Sequence, residues 1–203
     1  MLNPKSIVKI IRPRRPVRIV LNPNFSFLFV PKLTLTTLEG IGEIMPGQSI
    51  ADVITDALAS NALLLRAGDV VVICQKIVSK AENRYVELAT VTPSDRANEL
   101  ADLCHKDPRL VELVLRESSG VLRCVKDVLI VRHRLGFIVA NAGIDQSNIP
   151  HAAERALLLP QNPDSSAAAI RAALAQRFGV RIGVIISDSF GRPWRLGVCG
   201  TAI

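Results

Sequence analysis

Short apolar runs suited to β-strands alternate along this chain with segments whose apolar residues recur at helical spacing. The runs Val70–Cys74 and 180–187 are rich in β-branched residues, which indicates buried strands. Two further runs, 128–131 and 137–140, lie close enough in sequence to pair as a hairpin. This pattern predicts an α+β (mixed α/β) fold, in which helices flank a mixed sheet that includes hairpins.

Helix starts are marked by residues that can cap free backbone N–H groups. Ser49, with Asp52 at the capping-box position, predicts a helix that carries Ile50, Ile54 and Leu58 on one face. Further helices are predicted to begin at Pro93-Ser94-Asp95, at Pro108, and at Asp164 or Ser165, with the last ending at Gly179. Because aromatic residues make up only 4% of the chain, the core must be built from aliphatic side chains.

The positive charge of the chain is concentrated at its beginning. Seven of the 25 Lys and Arg residues precede Glu39, where no acidic residue occurs, and the remaining 18 equal the 18 Asp and Glu. The pI of about 9.7 therefore describes a tail and does not indicate a nucleic-acid-binding domain. We expect residues 1–32 to be a basic N-terminal extension outside the fold: a basic arm, a targeting segment, or upstream sequence read through from an early start. We expect residues 33–203 to form one domain that is incomplete at its C-terminus.

Composition and cysteine spacing exclude several classes of protein. With 49% hydrophobic and 21% charged residues, the chain has a globular composition and not a disordered one. No apolar run approaches the roughly 18 residues that would span a bilayer. The four cysteines are scattered, without a C-x-x-C pair, which indicates reduced thiols and favours a cytoplasmic protein.

Two common nucleotide-binding motifs do not occur in the sequence. There is no G-x-x-x-x-G-K-[ST] segment, which excludes a P-loop. Gly40-Ile41-Gly42 begins like a dinucleotide fingerprint, but the third glycine is missing and the segment precedes the strong strand at Val70–Cys74. The histidines have no titratable partner at a diagnostic spacing, so we interpret them as structural or surface residues. We interpret each cysteine as a small buried apolar residue and not as a nucleophile.

Three polar segments follow apolar runs and are candidate binding loops. Residues 75–82 place lysines just past a strand, where they can bind phosphate, although an exposed basic turn is the simpler interpretation. Residues 141–148 combine small residues with Asp145, Ser147 and Asn148. Such a segment can bring its backbone and polar side chains close to a ligand, or it can form a turn in which Asn and Asp hydrogen-bond to their own backbone. Both interpretations stay open for these two segments.

The third segment, residues 187–195, places Asp188 beside Ser189 at a strand end. This pair suits a hard cation such as Mg²⁺ or Mn²⁺, and Arg192 and Arg195 suit anionic oxygens. The alternative is that Asp188 caps a turn and pairs with Arg192.

Five blocks of the chain, taken together and in their order along it, resemble the coenzyme F-420 gamma-glutamyl ligase family (coenzyme F-420-0:L-glutamate ligase). The blocks are LEGIGEIMPGQSI, GDVVVICQKIVSKAENR, GFIVANAGIDQSN, LLLPQNPDSSAAAIRAAL and VIISDSFGRPWRLGVCGTAI. They extend from about Leu33 to Ile203, and the most distinctive parts are A-G-I-D-x-S-N and S-D-S-F-G-R-P-W-R. The resemblance implies a gamma-glutamyl ligase-type fold.

The resemblance also implies an activity, its cofactors and an assembly. Members of that family are GTP-dependent ligases that attach L-glutamate to the lactyl-phosphate carboxylate of the deazaflavin coenzyme precursor, with later glutamates joined through gamma linkages. GTP would convert the acceptor carboxylate into an acyl phosphate, because a carboxylate and an amine do not condense in water without activation. Two divalent ions, Mg²⁺ or Mn²⁺, together with K⁺ and a homodimer, are implied as well.

Matched position by position, the resemblance implies which residues form the site. The implied GTP contacts are Ile41, Gly42, Glu43, Ile44, Gln75, Lys80 and Asn148. The implied metal ligands are Asp145 and Asp188, with Ser189 as a hydroxyl ligand of a second ion. Asn83 replaces the usual glycine of one turn, and we expect the turn to survive because asparagine tolerates positive φ.

Two other functions compete with the ligase. One is a catalytically silent fragment of that family, which binds nucleotide and metal without turnover. The other is a nucleic-acid or membrane-surface binder that acts through the basic extension; the absence of excess charge in the body disfavours it. We expect neither nucleic acid nor membrane among the partners.

Overall fold

The computed structural model describes residues 8–19, 28–147, 149–151, 153–191 and 196–203 of the chain. Within these residues the strands form three sheets and are accompanied by five α-helices, which confirms the predicted α+β class. No helix in this part of the chain is long and apolar enough to cross a membrane.

Strands and helices are interspersed along the described part of the chain. The strands are β1 (Val8–Ile19), β2 (Leu28–Thr37), β3 (Val70–Cys74), β4 (Tyr85–Glu87), β5 (Ser118–Val125), β6 (Val128–His133), β7 (Ile138–Ala140), β8 (Arg155–Leu157), β9 (Gly183–Gly191) and β10 (Val198–Ala202). The helices are α1 (Ile50–Ser60), α2 (Gln75–Ala81), α3 (Asp95–Cys104), α4 (Pro108–Arg116) and α5 (Pro163–Phe178). Short 3₁₀ turns lie at Leu88–Thr90 and Asn141–Gly143.

The main sheet has the strand order β10-β9-β3-β1-β2. Its central neighbours β3 and β9 run parallel, and the other pairs are antiparallel. Because parallel strands end at the same edge of a sheet, the residues that follow β3 emerge beside the last part of β9. This edge is where the candidate site lies.

Helices α1, α2 and α5 bury their apolar residues with those of the main sheet. The Ser49 hydroxyl accepts the backbone N–H of Asp52 at 3.3 Å, so the predicted start of α1 is confirmed. The predicted end of α5 at Gly179 is confirmed as well, with a φ of 65°. The start of α5 is a correction: Asn162 is the cap, and its side-chain oxygen accepts the N–H of Ser165 at 3.1 Å.

A second core joins helices α3 and α4 to the antiparallel sheet β5-β6-β7. The predicted hairpin of β6 and β7 is confirmed, with Val131 paired to Val139. His133 at the end of β6 is fully buried, and its Nδ1 accepts the backbone N–H of Leu135 at 3.0 Å. It is therefore a structural histidine, which is one of the two roles that the sequence allows.

The first part of the chain belongs to the main sheet wherever the structure describes it, contrary to the expectation that residues 1–32 lie outside the fold. Strand β1 pairs with both β2 and β3, and the side chains of Val8 and Ile10 are buried in the core. Arg12 donates two hydrogen bonds to the buried carboxylate of Asp69, at 2.8 and 2.7 Å. The physical reason is the period of two along a strand, which places apolar residues on the core face between the basic ones.

Candidate active site

The site is built where β9 continues past the end of β3. The ladder between these parallel strands ends with Cys74 opposite Ser187, while β9 runs on to Gly191 alongside β10. Asp188 is therefore the first residue of β9 beyond β3, and it is half-buried. The sequence predicts a strand over residues 180–187. Instead, β9 begins at Gly183 and continues to Gly191, where β10 supplies a second hydrogen-bonding partner.

Asp145 follows a tight turn in which three consecutive residues have positive φ. Asn141, Ala142 and Gly143 have φ values of 50°, 52° and 68°. A Cβ atom on Gly143 would lie 2.8 Å from Cδ1 of the buried Leu159, so the turn requires glycine for space as well as for conformation. The small residues of this segment therefore serve close packing of the backbone against the core.

Backbone hydrogen bonds hold Asp145 in a defined place after that turn. Its N–H and C=O groups exchange hydrogen bonds with Leu157, at 3.0 and 2.9 Å. Its carboxylate Oδ1 accepts the backbone N–H of Ser147 at 2.6 Å. The hydrogen bond from Ser147 engages Oδ1 and thereby fixes the direction in which the other oxygen, Oδ2, points.

The carboxylates of Asp145 and Asp188 interact electrostatically. Burial raises the pKa of Asp188 above its ordinary value, and the negative charge of Asp145 raises it further. Burial also raises the pKa of the Cys74 thiol, with both carboxylates adding to the effect. The fold thus brings together two aspartates that are far apart in the sequence.

An ammonium group contacts the Asp145 carboxylate. Lys76 Nζ lies 2.5 Å from Asp145 Oδ2, and it donates to the carbonyl oxygen and the hydroxyl of Ser147, at 3.1 and 3.3 Å. Burial alone would raise the pKa of Asp145, but hydrogen bonds from Lys76 and Ser147 outweigh it and lower that pKa. The sequence draws attention to the lysines of residues 75–82 but predicts a role for Lys80 and none for Lys76.

Residues 75–82 form a buried helix and not an exposed basic turn. Helix α2 follows directly on β3, and most of its side chains are buried, including that of Lys80. Because residues four apart lie on the same face of a helix, Lys76 and Lys80 project in the same direction. Lys80 Nζ lies 3.5 Å from Glu43 Oε1. Helix α2 therefore links the aspartates to the loop in which GTP contacts are predicted.

That loop packs on the end of α2 and presents its residues unequally. Gly42 and Glu43 are exposed, Ile41 is half-buried, and Ile44 is buried in the main core. The N–H of Gly47 donates to the carbonyl of Ala81 at 2.8 Å, which anchors the loop. Only the exposed part of the loop offers side chains to a ligand.

A cleft of about 430 Å³ lies beside Glu43, within the size range of small-molecule sites. Tyr85, Glu87 and Arg155 are among the other residues that line it, and the sequence gives no indication of them. Arg155 Nε lies 2.5 Å from Glu87 Oε1 across the β4–β8 pair. Asn83, another residue that lines the cleft, has a φ of 53°, so the positive φ expected at this turn is present.

The remaining predicted site residues are placed as follows. Gln75 is buried at the start of α2, where its side-chain oxygen accepts the hydroxyl of Ser79 at 2.9 Å. Ser189 is exposed, and its backbone N–H donates to Asp188 Oδ1 at 2.8 Å. Asn148, Arg192 and Arg195 lie outside the described residues.

The acidic pair fits a hard divalent cation that a substrate helps to ligate. Among the described residues, no three or more His, Cys, Asp or Glu side chains form a metal-binding group. Mg²⁺ in nucleotide-dependent enzymes, however, is held by one or two carboxylates together with water and phosphate oxygens. Asp145 and Asp188 match that donor set, and a cation between them would relieve their repulsion.

Fold and site together define an α+β protein with a lysine-flanked acidic site at the edge of its main sheet. Residues 40–203 match the family model described as F420-0:Gamma-glutamyl ligase. A protein of Methanopyrus kandleri named coenzyme F420:L-glutamate ligase is 39% identical over 174 residues, or 86% of this chain and 66% of the relative. Proteins of the same name from Methanothermobacter thermautotrophicus and Archaeoglobus fulgidus are 41% and 40% identical, over 84% and 82% of this chain.

The chain belongs to the F420-0:Gamma-glutamyl ligase family, as the resemblance predicts. The matched region spans about two thirds of the length of these relatives: 66%, 67% and 64%.

Proposed function

We propose that this chain is a ligase of coenzyme F420 biosynthesis that attaches L-glutamate to coenzyme F420-0 at the expense of GTP. Further glutamates would be added through gamma linkages. The proposal rests on the convergence of Asp145 and Asp188, with Lys76 beside them, in a chain of this family. The name shared by its relatives, coenzyme F420:L-glutamate ligase, supports the formation of an amide with glutamate.

The reaction needs activation of the acceptor carboxylate before the amide can form. Transfer of the γ-phosphoryl group of GTP to a carboxylate oxygen breaks the β–γ P–O bond and yields an acyl phosphate and GDP. The glutamate amine then attacks the acyl carbon, phosphate leaves, and the amine loses a proton. No side chain has to form a covalent bond in this scheme.

The residues of the site are suited to bringing anionic reactants together. Lys76 and Lys80 place two positive charges on one face of α2, near the acidic pair and near Glu43. Fixed positive charge lowers the repulsion between a triphosphate and a carboxylate and stabilises the charge that develops during phosphoryl transfer. The proposed GTP contacts are the loop residues Ile41, Gly42, Glu43 and Ile44, of which Ile44 would offer only its backbone because its side chain is buried. Gln75, Lys80 and Asn148 are proposed as further contacts.

Asp145 and Asp188 would hold Mg²⁺ or Mn²⁺, and Ser189 would add a hydroxyl ligand to a second ion. Bound divalent cations supply neutralising charge at the phosphates and a template for the reacting oxygens. Dependence on K⁺, assembly as a homodimer and a cytoplasmic location also belong to the proposal. The free thiols of Cys74, Cys104, Cys124 and Cys199 are consistent with that location.

The proposal is tested with the purified chain, F420-0, L-glutamate, GTP and Mn²⁺. We expect mass spectrometry to show the monoglutamylated product and an equal amount of GDP, with neither formed when GTP is replaced by a non-hydrolysable analogue. Product formed without GTP cleavage would contradict the mechanism. Calorimetric binding of GTP and Mn²⁺ without turnover would favour the catalytically silent alternative.

A further inference from the structure

We propose that Lys76 is an exchangeable counter-cation of the site. Its ammonium holds Asp145 in place when no divalent ion is bound, and it must leave Asp145 Oδ2 when that oxygen ligates a metal. The proposal rests on the proposed function in one respect, the assignment of Asp145 and Asp188 as metal ligands.

The contacts of Lys76 differ from those of an ordinary surface lysine. An ammonium group has three N–H donors, and Lys76 Nζ has three acceptors within 3.3 Å: Asp145 Oδ2 and two oxygens of Ser147. Its side chain is only 14% exposed. The ammonium is therefore held in one place, and moving it breaks a set of specific contacts.

The two oxygens of the Asp145 carboxylate have different tasks. Oδ1 accepts the backbone N–H of Ser147 at 2.6 Å and is committed to the turn. Oδ2 is the oxygen that Lys76 contacts, at 2.5 Å. A metal ligated through Oδ2 would have to approach the position of the ammonium, and two cations repel one another strongly at such a distance. Metal and ammonium therefore compete for Oδ2.

The charges that face Lys76 make its removal favour metal binding. Lys76 contacts the carboxylate of Asp145, and Asp188 lies just past the last pair of the ladder from which α2 begins. Without Lys76, two partly buried carboxylates repel one another with no other cation recorded in contact with them among the described residues, and a divalent ion would relieve that repulsion. If Lys76 instead only orients Asp145 for the metal, its removal weakens binding. The two roles thus predict opposite changes in metal affinity when Lys76 is removed.

The test is a calorimetric titration of the metal-free full chain with Mn²⁺, in the absence of nucleotide. We expect Lys76→Met and Lys76→Gln to bind Mn²⁺ about fivefold or more tightly than the unaltered chain, because the competing cation is gone. Lys76→Arg, which keeps a competing cation, and Lys126→Met, which removes an exposed lysine, are expected to stay within about twofold. Equal or weaker binding by both uncharged variants would overturn the proposal.

Thermal unfolding provides a second measurement that does not depend on catalysis. The metal-free Lys76→Met and Lys76→Gln variants are expected to have a lower Tm than the unaltered chain and a larger increase in Tm with Mn²⁺. An unaltered chain that binds no Mn²⁺, or binding that persists in Asp188→Asn, would overturn this proposal together with the metal assignment. The ligation assay tests the reaction separately, so a failure of the proposed activity is distinguishable from a failure here.

Discussion

Cys74 and Ser187 lie side by side as the last pair of the parallel ladder between β3 and β9. From this pair the chain turns into α2 on one side and continues to Asp188 on the other. Asp188 and the start of α2 are therefore both anchored on the central strands of the main sheet, and ladder hydrogen bonds fix their relative position. Sites held by such elements are positioned more accurately than sites held by loops.

Asp188→Asn is expected to weaken Mn²⁺ binding by about 100-fold or more, because it removes a proposed metal ligand. Loss of a group that only orients a metal ligand already lowers metal affinity by about 10–100-fold. Ligation should fall in parallel. The free energy of unfolding at neutral pH should be unchanged or higher, since burial and Asp145 already disfavour the ionised Asp188. Calorimetry, the ligation assay and urea unfolding measure the three effects.

Asp102→Asn is the matched control for that variant, because Asp102 is exposed on α3. It removes one negative charge without touching the site. A similar loss of Mn²⁺ affinity in both variants would mean that net charge, and not ligation by Asp188, is responsible.

Gly143→Ala is expected to destabilise the protein by about 2–4 kcal/mol, since it combines an unfavourable φ with overpacking. The added methyl would meet the buried Leu159, at 2.8 Å from Cδ1. Because Asp145 lies two residues after Gly143, Mn²⁺ affinity should fall as well. Urea unfolding and calorimetry test both expectations.

Gly136→Ala separates the two causes, because Gly136 has a φ of 95° but nothing within 4 Å of its added Cβ. Gly136→Ala should lower the free energy of unfolding by about 1–2 kcal/mol, because only the unfavourable backbone φ contributes. Equal destabilisation by the two substitutions would show that the contact with Leu159 is unimportant.

Glu117 joins α4 to neighbouring parts of the fold through two arginines. Its carboxylate lies 3.2 Å from Arg84 and 3.0 Å from Arg134. Burial alone would raise the pKa of Glu117, but the surrounding donors and positive charges reverse the effect and lower it from 4.5 to about 2. A carboxyl whose pKa is lower in the folded state stabilises the fold at higher pH.

Glu117→Gln is therefore expected to lower the free energy of unfolding by about 2–3 kcal/mol at pH 7. The contribution of Glu117 is complete above its ordinary pKa and is lost as the pH falls through about 2, so the difference between variant and unaltered chain should shrink below pH 4.5. Urea unfolding at several pH values measures it. As the control, Glu99→Gln removes one partner of an exposed ion pair and should change the free energy of unfolding by no more than about 0.5 kcal/mol. A pH-independent difference for Glu117→Gln would contradict a stabilising role of the ionised Glu117 carboxylate.

Ile10→Ala is expected to lower the free energy of unfolding by about 2–4 kcal/mol, because Ile10 is a buried core residue of β1. Leu35→Ala on the neighbouring β2 should change stability by about 0.5 kcal/mol or less, since Leu35 is 66% exposed. Urea unfolding compares them. If Ile10→Ala were as mild as Leu35→Ala, the start of the chain would contribute little to the fold.

Local patterns in the sequence predict many elements correctly. Ser49 marks the start of α1, Gly179 the end of α5, and the β-branched run Val70–Cys74 a buried strand. These features depend on neighbours a few residues away, such as the N–H that a capping hydroxyl can reach. Strand β1 escapes the same kind of prediction, because its basic residues conceal the apolar alternation that Val8 and Ile10 begin.

The sequence by itself determines the fold class and the family, because periodicity, capping and ordered motifs depend on residues close together in the chain. Only the tertiary structure decides that Asp188 lies just past the end of β3, that the charge of Asp145 acts on it, and that Lys76 contacts Asp145. Those relationships join segments far apart in the chain. They depend on strand pairing and on distances of a few ångströms, which spacing along a sequence does not encode.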